Sequence, residues 1–200
     1  MRMGKKMRII SILMSIIVIA ATLGFATFAL TQNSTSVNYD GSLTIGGNAD
    51  IDVSIAFFEI GNETAQFSIT ADENGIVEKK GDTVVKTITD VKDVTEYGIS
   101  TKPVLDPKNS YKFVVTINNP SPDTEGEAYV NAVVSVLNFS ANAAFSDYYT
   151  IINPELGEGL IEDGASVSYT VFLNANSYNS ELDYNNIEFT YNLNVIAYKA

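Results

Sequence analysis

The sequence predicts an all-β fold, an antiparallel two-sheet sandwich of jelly-roll type preceded by a signal-peptide helix. Three observations predict it. Apolar and polar residues alternate with a period of two in stretch after stretch beyond residue 41. Glycine, asparagine, aspartate and proline fall between those stretches, where turns belong. The first 26 residues instead have a basic start, an apolar middle and a small-residue pair.

In the leader, Arg2, Lys5, Lys6 and Arg8 precede an apolar run from Ile9 to Leu23, broken only by Ser11, Ser15 and Thr22. Gly24 and Ala26 supply the small residues of a cleavage site before Thr27. Cleavage there predicts three parts: a signal peptide over 1–26, an N-terminal donor or edge-strand segment over 27–45, and a β-sandwich domain over 46–200. Retention of residues 9–30 is an alternative, because 22 mostly apolar residues can span a bilayer as an anchor. Gly24 and the threonines weaken that span. A pilin-type leader would need an acid just inside the apolar run, and residues 9–23 contain none.

Cleavage leaves 174 residues, enough for one domain with a sizeable core. The chain has no cysteine, so no disulfide or thiol chemistry supports it. Histidine and tryptophan are absent too. All 24 acids lie beyond the leader against eight lysines, a net charge of −16. That charge repels nucleic acid and anionic lipid, and makes self-association sensitive to salt. Membrane contact is expected only through an uncleaved leader.

Along the mature chain, Ser42–Ile45 reads as a short strand, and Asp50–Phe57 alternates cleanly. Gln66–Thr70 places Phe67 and Ile69 on one face. Asn74-Gly75 marks a hairpin before Ile76-Val77, and Gly81-Asp82 a turn before Thr83–Ile88. Thr89–Lys108 is weaker, with a strand suggested at Tyr97–Thr101. Tyr111–Asn119 is a strand ended by Pro120, with a loop to Gly126. Ala128–Phe139 reads as a long central strand buried on both faces. Ser140–Tyr149 is the one expected helical turn, with Ser140 as its cap. Tyr148–Ile152 reads as strand, and Gly157–Gly164 as turns. Ser166–Leu173 sets Val167, Tyr169, Val171 and Leu173 on one face. Ile187–Tyr198 does the same for Phe189, Tyr191, Leu193, Val195 and Ala197. The 21 Phe and Tyr residues are expected in the core and in cross-strand pairs rather than on a binding face.

The segment Gly24-Phe25-Ala26-Thr27-Phe28 resembles the signal junction of the TasA/camelysin family, exported surface and biofilm-matrix proteins matured by the signal peptidase SipW. Val114–Asn119 with Ala128-Tyr129-Val130, and Glu162–Val171, resemble two further family stretches. The family's aromatic pair after the cleavage alanine is Thr27-Phe28 here, and residues 60–110 do not align. The resemblance implies a jelly-roll domain secreted to the extracellular matrix or cell surface. It implies a signal peptidase, further copies of the chain and other matrix proteins as partners. Some members form fibres by strand donation, in which a freed N-terminal segment adds to a sheet of the next subunit. Phe28, Leu30, Val37, Leu43 and Ile45 are the candidate anchors of such a segment. A local edge strand or a loose terminus is the plainer reading of the same residues.

The residue types argue against catalysis. Zinc peptidase chemistry needs histidine or cysteine ligands, and a serine triad needs histidine; the chain has neither residue. A paired-carboxylate hydrolase stays open, since among 24 acids some pair will lie close. No cofactor is expected, calcium being the one ion the sequence suggests. Its candidate ligands are Asn48, Asp50 and Asp52, and Asp123, Glu125 and Glu127, spaced two apart as hard oxygen donors. Alternating acids are equally the wet face of a strand. The function expected is an exported structural protein and fibre subunit. The alternatives are a monomeric binding module for glycan or calcium, and a membrane-anchored surface protein.

Overall fold

The computed structural model describes residues 38–47, 51–72, 74–89, 96–120, 131–157, 159–177, 179 and 188–199. The strands are β1 (Asn38–Gly47), β2 (Asp52–Glu59), β3 (Phe67–Asp72), β4 (Gly75–Lys80), β5 (Thr83–Ile88) and β6 (Glu96–Ile99). They continue with β7 (Tyr111–Asn118), β8 (Ala132–Ala141), β9 (Tyr149–Ile152), β10 (Leu160–Ile161), β11 (Ser166–Ala175) and β12 (Glu188–Lys199). One helical turn, α1 (Ala143–Ser146), follows β8. The strands form two sheets, β10-β8-β12-β1-β6 and β5-β4-β3-β2-β7-β11-β9. The chain is an all-β sandwich, and every strand pair is antiparallel except β1 with β12.

Alternation builds the core. Val53, Ile55 and Phe57 of β2, Tyr111, Phe113, Val115 and Ile117 of β7, and Val171 and Leu173 of β11 turn inward from the larger sheet. Phe189, Tyr191, Leu193, Val195 and Ala197 of β12 face them from the smaller. The two faces meet ring to ring: Phe113 lies 5.2 Å from Phe139 of β8, which stacks on Tyr191 at 5.3 Å. Phe57 extends the row at 4.7 Å from Phe113, and Phe145 of α1 sits 4.8 Å from Phe189. Most of the aromatic side chains among the described residues are core, as the sequence suggests; Phe172 is exposed, and Phe58 and Tyr169 are half-buried. Each buried ring contributes about 1.5–3 kcal/mol by leaving water, and each pair adds about 0.5–1.5 kcal/mol.

The β3–β4 hairpin turns where Asn74-Gly75 predicts. The Asn74 amide donates to the Asp72 side chain at 2.8 Å. Gly75 has φ 134°, and a Cβ there would lie 2.0 Å from the Ile88 carbonyl oxygen. Only glycine fits.

Several expectations are corrected. β8 covers Ala132–Ala141, residues 128–130 of the expected strand lying outside the described residues, and its two faces are not equally buried: Ser135 and Ser140 are exposed. Its pairing with β12 skips Ser135, from Val134↔Ala197 to Val136↔Ile196. This bulge lets both Val134 and Leu137, three residues apart, face inward. Ser140 does not cap the helix. It lies in β8 opposite Asn192, because alternation carries the strand to Ala141, and Asn142 takes the cap position without a side-chain bond. Gly157–Gly164, expected as turns alone, holds the two-residue strand β10.

Phe113 joins both sheets' rings, so Phe113→Ala should cost about 3–5 kcal/mol without changing the fold. Urea unfolding of the protein, with circular dichroism to verify the fold, measures this loss.

Candidate functional site

β1 occupies the most unusual position in the sandwich. The sequence suggests an edge strand or a donor; in the structure β1 lies inside the smaller sheet, between β12 and β6. It runs parallel to β12 along its whole length, from Asn38↔Glu188 to Gly47↔Ala197. On its other side it pairs antiparallel with β6, from Gly41↔Ile99 to Thr44↔Glu96. Parallel neighbours need a crossover. Here the crossover is nearly the entire domain.

Side chains fix the register. Asn192 Nδ2 of β12 donates to Ser42 Oγ at 2.7 Å. Gly41 is buried, and a Cβ on it would lie 2.3 Å from the Tyr191 ring. The ring thus passes beneath β1 where no side chain stands. An open depression of about 440 Å³ borders this point, lined by Gly41, Ser42, Gly98, Asn142, Thr190 and Asn192.

β6 is short, and side chains from the larger sheet hold it. Glu78 of β4 is fully buried. It accepts hydrogen bonds from Tyr97 Oη at 2.7 Å, from the Ser100 amide at 3.0 Å and from the Thr101 amide. Burial pushes its carboxyl up, but donors from Thr101, Ser100 and Tyr97 outweigh that and hold it below its ordinary value. The same burial, with Glu78 beside it, raises the Tyr97 hydroxyl far above the ordinary tyrosine range. From β5, Lys86 Nζ donates to the Gly98 carbonyl at 3.1 Å and lies 4.3 Å from the centre of the Tyr97 ring. One buried anion and one cation thereby bolt β6 across the sandwich. Glu78 is sealed from solvent and held ionised, the reverse of a general acid.

The sequence candidates divide. Leu43 and Ile45 lie in β1, in register with Leu193 and Val195. Gly24, Ala26, Thr27, Phe28, Leu30 and Val37 are outside the described residues, as is the 9–30 anchor alternative. Of the calcium candidates, Asn48, Asp50, Asp123, Glu125 and Glu127 are also outside them. Asp52 is in β2, where its carboxylate accepts from Asn118 Nδ2 at 3.1 Å. Among the described residues, no three acids gather as a metal site, and no helix is long and apolar enough to cross a membrane.

Sequence reasoning missed Gly41, Glu78 and Tyr97 as a set. Glu78 carried a signal: it shares strand parity with Ile76, so an acid stands at an inward position. Comparison with family models, curated proteins and solved structures finds no match.

Glu78→Gln replaces one acceptor oxygen with a donor facing amide donors. It should cost about 2–3 kcal/mol at about pH 7. Because the folded carboxyl sits below its ordinary value, its contribution is complete above that value and fades as pH falls through the folded one. Urea unfolding across acid pH should show this slope in the wild type and its loss in the variant.

Proposed function

We propose that this chain is an exported, non-enzymatic surface or matrix protein whose copies join into fibres by exchanging the N-terminal strand. The observation that carries this reading is the place of β1. It sits between two strands of its own sheet, and its covalent link onward is residues 48–51, entering β2 of the other sheet. The contacts that hold it are main-chain ladders with a few side-chain locks. A neighbour's strand of the same sequence would make the same contacts, so exchange costs little beyond a change of path. The glycine pair Gly46-Gly47, at the end of β1, suits such a change.

The leader supports export, since cleavage before Thr27 would free the segment leading into β1. A contact in which each copy gives a strand forward and receives one from behind does not close, and grows filaments. Its own strand competes at an effective concentration in the millimolar range. Dilute protein is therefore self-complemented, and assembly is slow and concentration-dependent. The chemistry needed is pairing and packing alone.

The chain has no cysteine, which gives a direct test. Ser42→Cys with Asn192→Cys places two thiols where a side-chain bond of 2.7 Å now joins neighbouring strands. After mild oxidation, dilute monomer should carry an internal disulfide. Assembled material should give a ladder of covalent oligomers on a non-reducing gel. Assemblies containing only internal disulfides would refute strand exchange. Mass spectrometry of exported protein should find Thr27 at its N-terminus.

A further inference from the structure

The two flanks of the sandwich differ in charge, and each leaves apolar surface in water. In the larger sheet β5 and β9 are the outermost strands, six spacings apart, or roughly 29 Å. The smaller sheet shares this left–right sense. β6 lies over β4 through Tyr97 and Glu78. At the opposite end, Asn153, just after β9, exchanges hydrogen bonds with the main chain of Phe139 in β8, and Asn119, just after β7, donates to Ile161 of β10. One flank is therefore β4, β5 and β6, and the other is β8, β9 and β10.

Of the eight lysines beyond the leader, seven fall within residues 79–112, against five acids in that stretch. Residues 113–198 hold eleven acids and no base. Lys79, Lys80 and Lys86 stand on the β4–β5 hairpin, while Asp147, Glu155 and Glu162 border β9 and β10. Among the described residues, four of the seven exposed large apolar side chains lie on these flanks. Val84 and Val85 of β5 are 52% and 46% exposed; Ile152 of β9 and Leu160 of β10 are 47% and 48% exposed. The sheets account for this, because five strands cannot cover seven, and β5 overhangs. A bulge at Val85, where pairing passes from Lys79↔Val84 to Glu78↔Lys86, turns both valines to water.

We infer that the lysine-bearing β4–β5 flank is a docking surface for a second copy of this chain, which presents its acidic β9–β10 flank. Two copies carrying −16 each repel in most orientations. This approach sets Lys79, Lys80 and Lys86, which share their flank with Asp82 and Glu96, against a flank whose strands β8, β9 and β10 hold no base, Lys199 of β12 standing next to β8, and it buries valine against isoleucine and leucine. A β5-to-β5 contact would oppose like charges. The contact is head-to-tail and open. It needs no release of β1, so it proceeds independently of strand exchange and would tie neighbouring filaments side by side.

Every protein compared, including the one wild-type at the charged positions, is the mature chain with Ser42→Cys and Asn192→Cys oxidised as dilute monomer, so that the internal disulfide bars strand exchange; association is read by sedimentation in low and high salt. Wild-type protein should associate in low salt and dissociate as salt rises. Lys79→Glu with Lys80→Glu, and separately Glu155→Lys with Glu162→Lys, should each weaken association roughly tenfold or more. Mixing the two charge-reversed proteins should restore it, since every interface between unlike copies is again complementary. Circular dichroism checks that both variants fold. Absence of association by wild-type protein in low salt would overturn the inference. So would association that survives reversal of Glu155 and Glu162, or a mixture no better than its components.

Discussion

Everything in this molecule depends on two inner faces meeting in phase. With no cysteine to cross-link them, the sheets are joined by rings that bridge the gap, Phe113 against Phe139 and Phe139 against Tyr191. A slip of one residue in any strand would turn its whole apolar set to water. The bulge at Ser135 shows how the constraint is met where the chain would lose step: one residue is left out of the ladder, and Val134 and Leu137 both reach the core. The buried Glu78 answers a related need at the margin, where β6 is too short to be held by its ladder and is secured by a carboxylate with three donors.

The strands that could be read directly were those whose alternation is unbroken. β12 shows this best: its five expected inward residues are all buried. β5 and β7 match their expected spans to within a residue. The Asn74-Gly75 turn was legible because its requirement is local, a positive-φ backbone that glycine adopts freely between two apolar runs; the close approach to Ile88 was not. What escaped was everything set by distant partners. β10 has two residues and no pattern of its own; it exists because β8 offers an edge. The helix begins at Ala143 rather than near Ser140 because pairing with β12 outlasts the local capping signal.

The site followed the same division. Leu43 and Ile45 were visible as strand residues, but no local rule puts their strand between the last strand of the chain and β6. Gly41 looks like a weak point in a strand. It becomes intelligible only beneath the Tyr191 ring, a residue 150 positions further on. Charge was legible as a total; that Lys79, Lys80 and Lys86 stand at one end of the larger sheet and Asp147 and Glu155 beside the strand at the other became apparent only from the sheet order.

The bond between Ser42 and Asn192 spans 150 residues. A ribosome adds about 5–20 residues per second, so β1 emerges on the order of ten seconds before its main partner exists. During that interval the sandwich lacks its closing strand, and the first strand has only the short β6 to pair with in its own molecule. The sequence thus builds a delay into its own folding: the smaller sheet can close only after the chain is almost fully made.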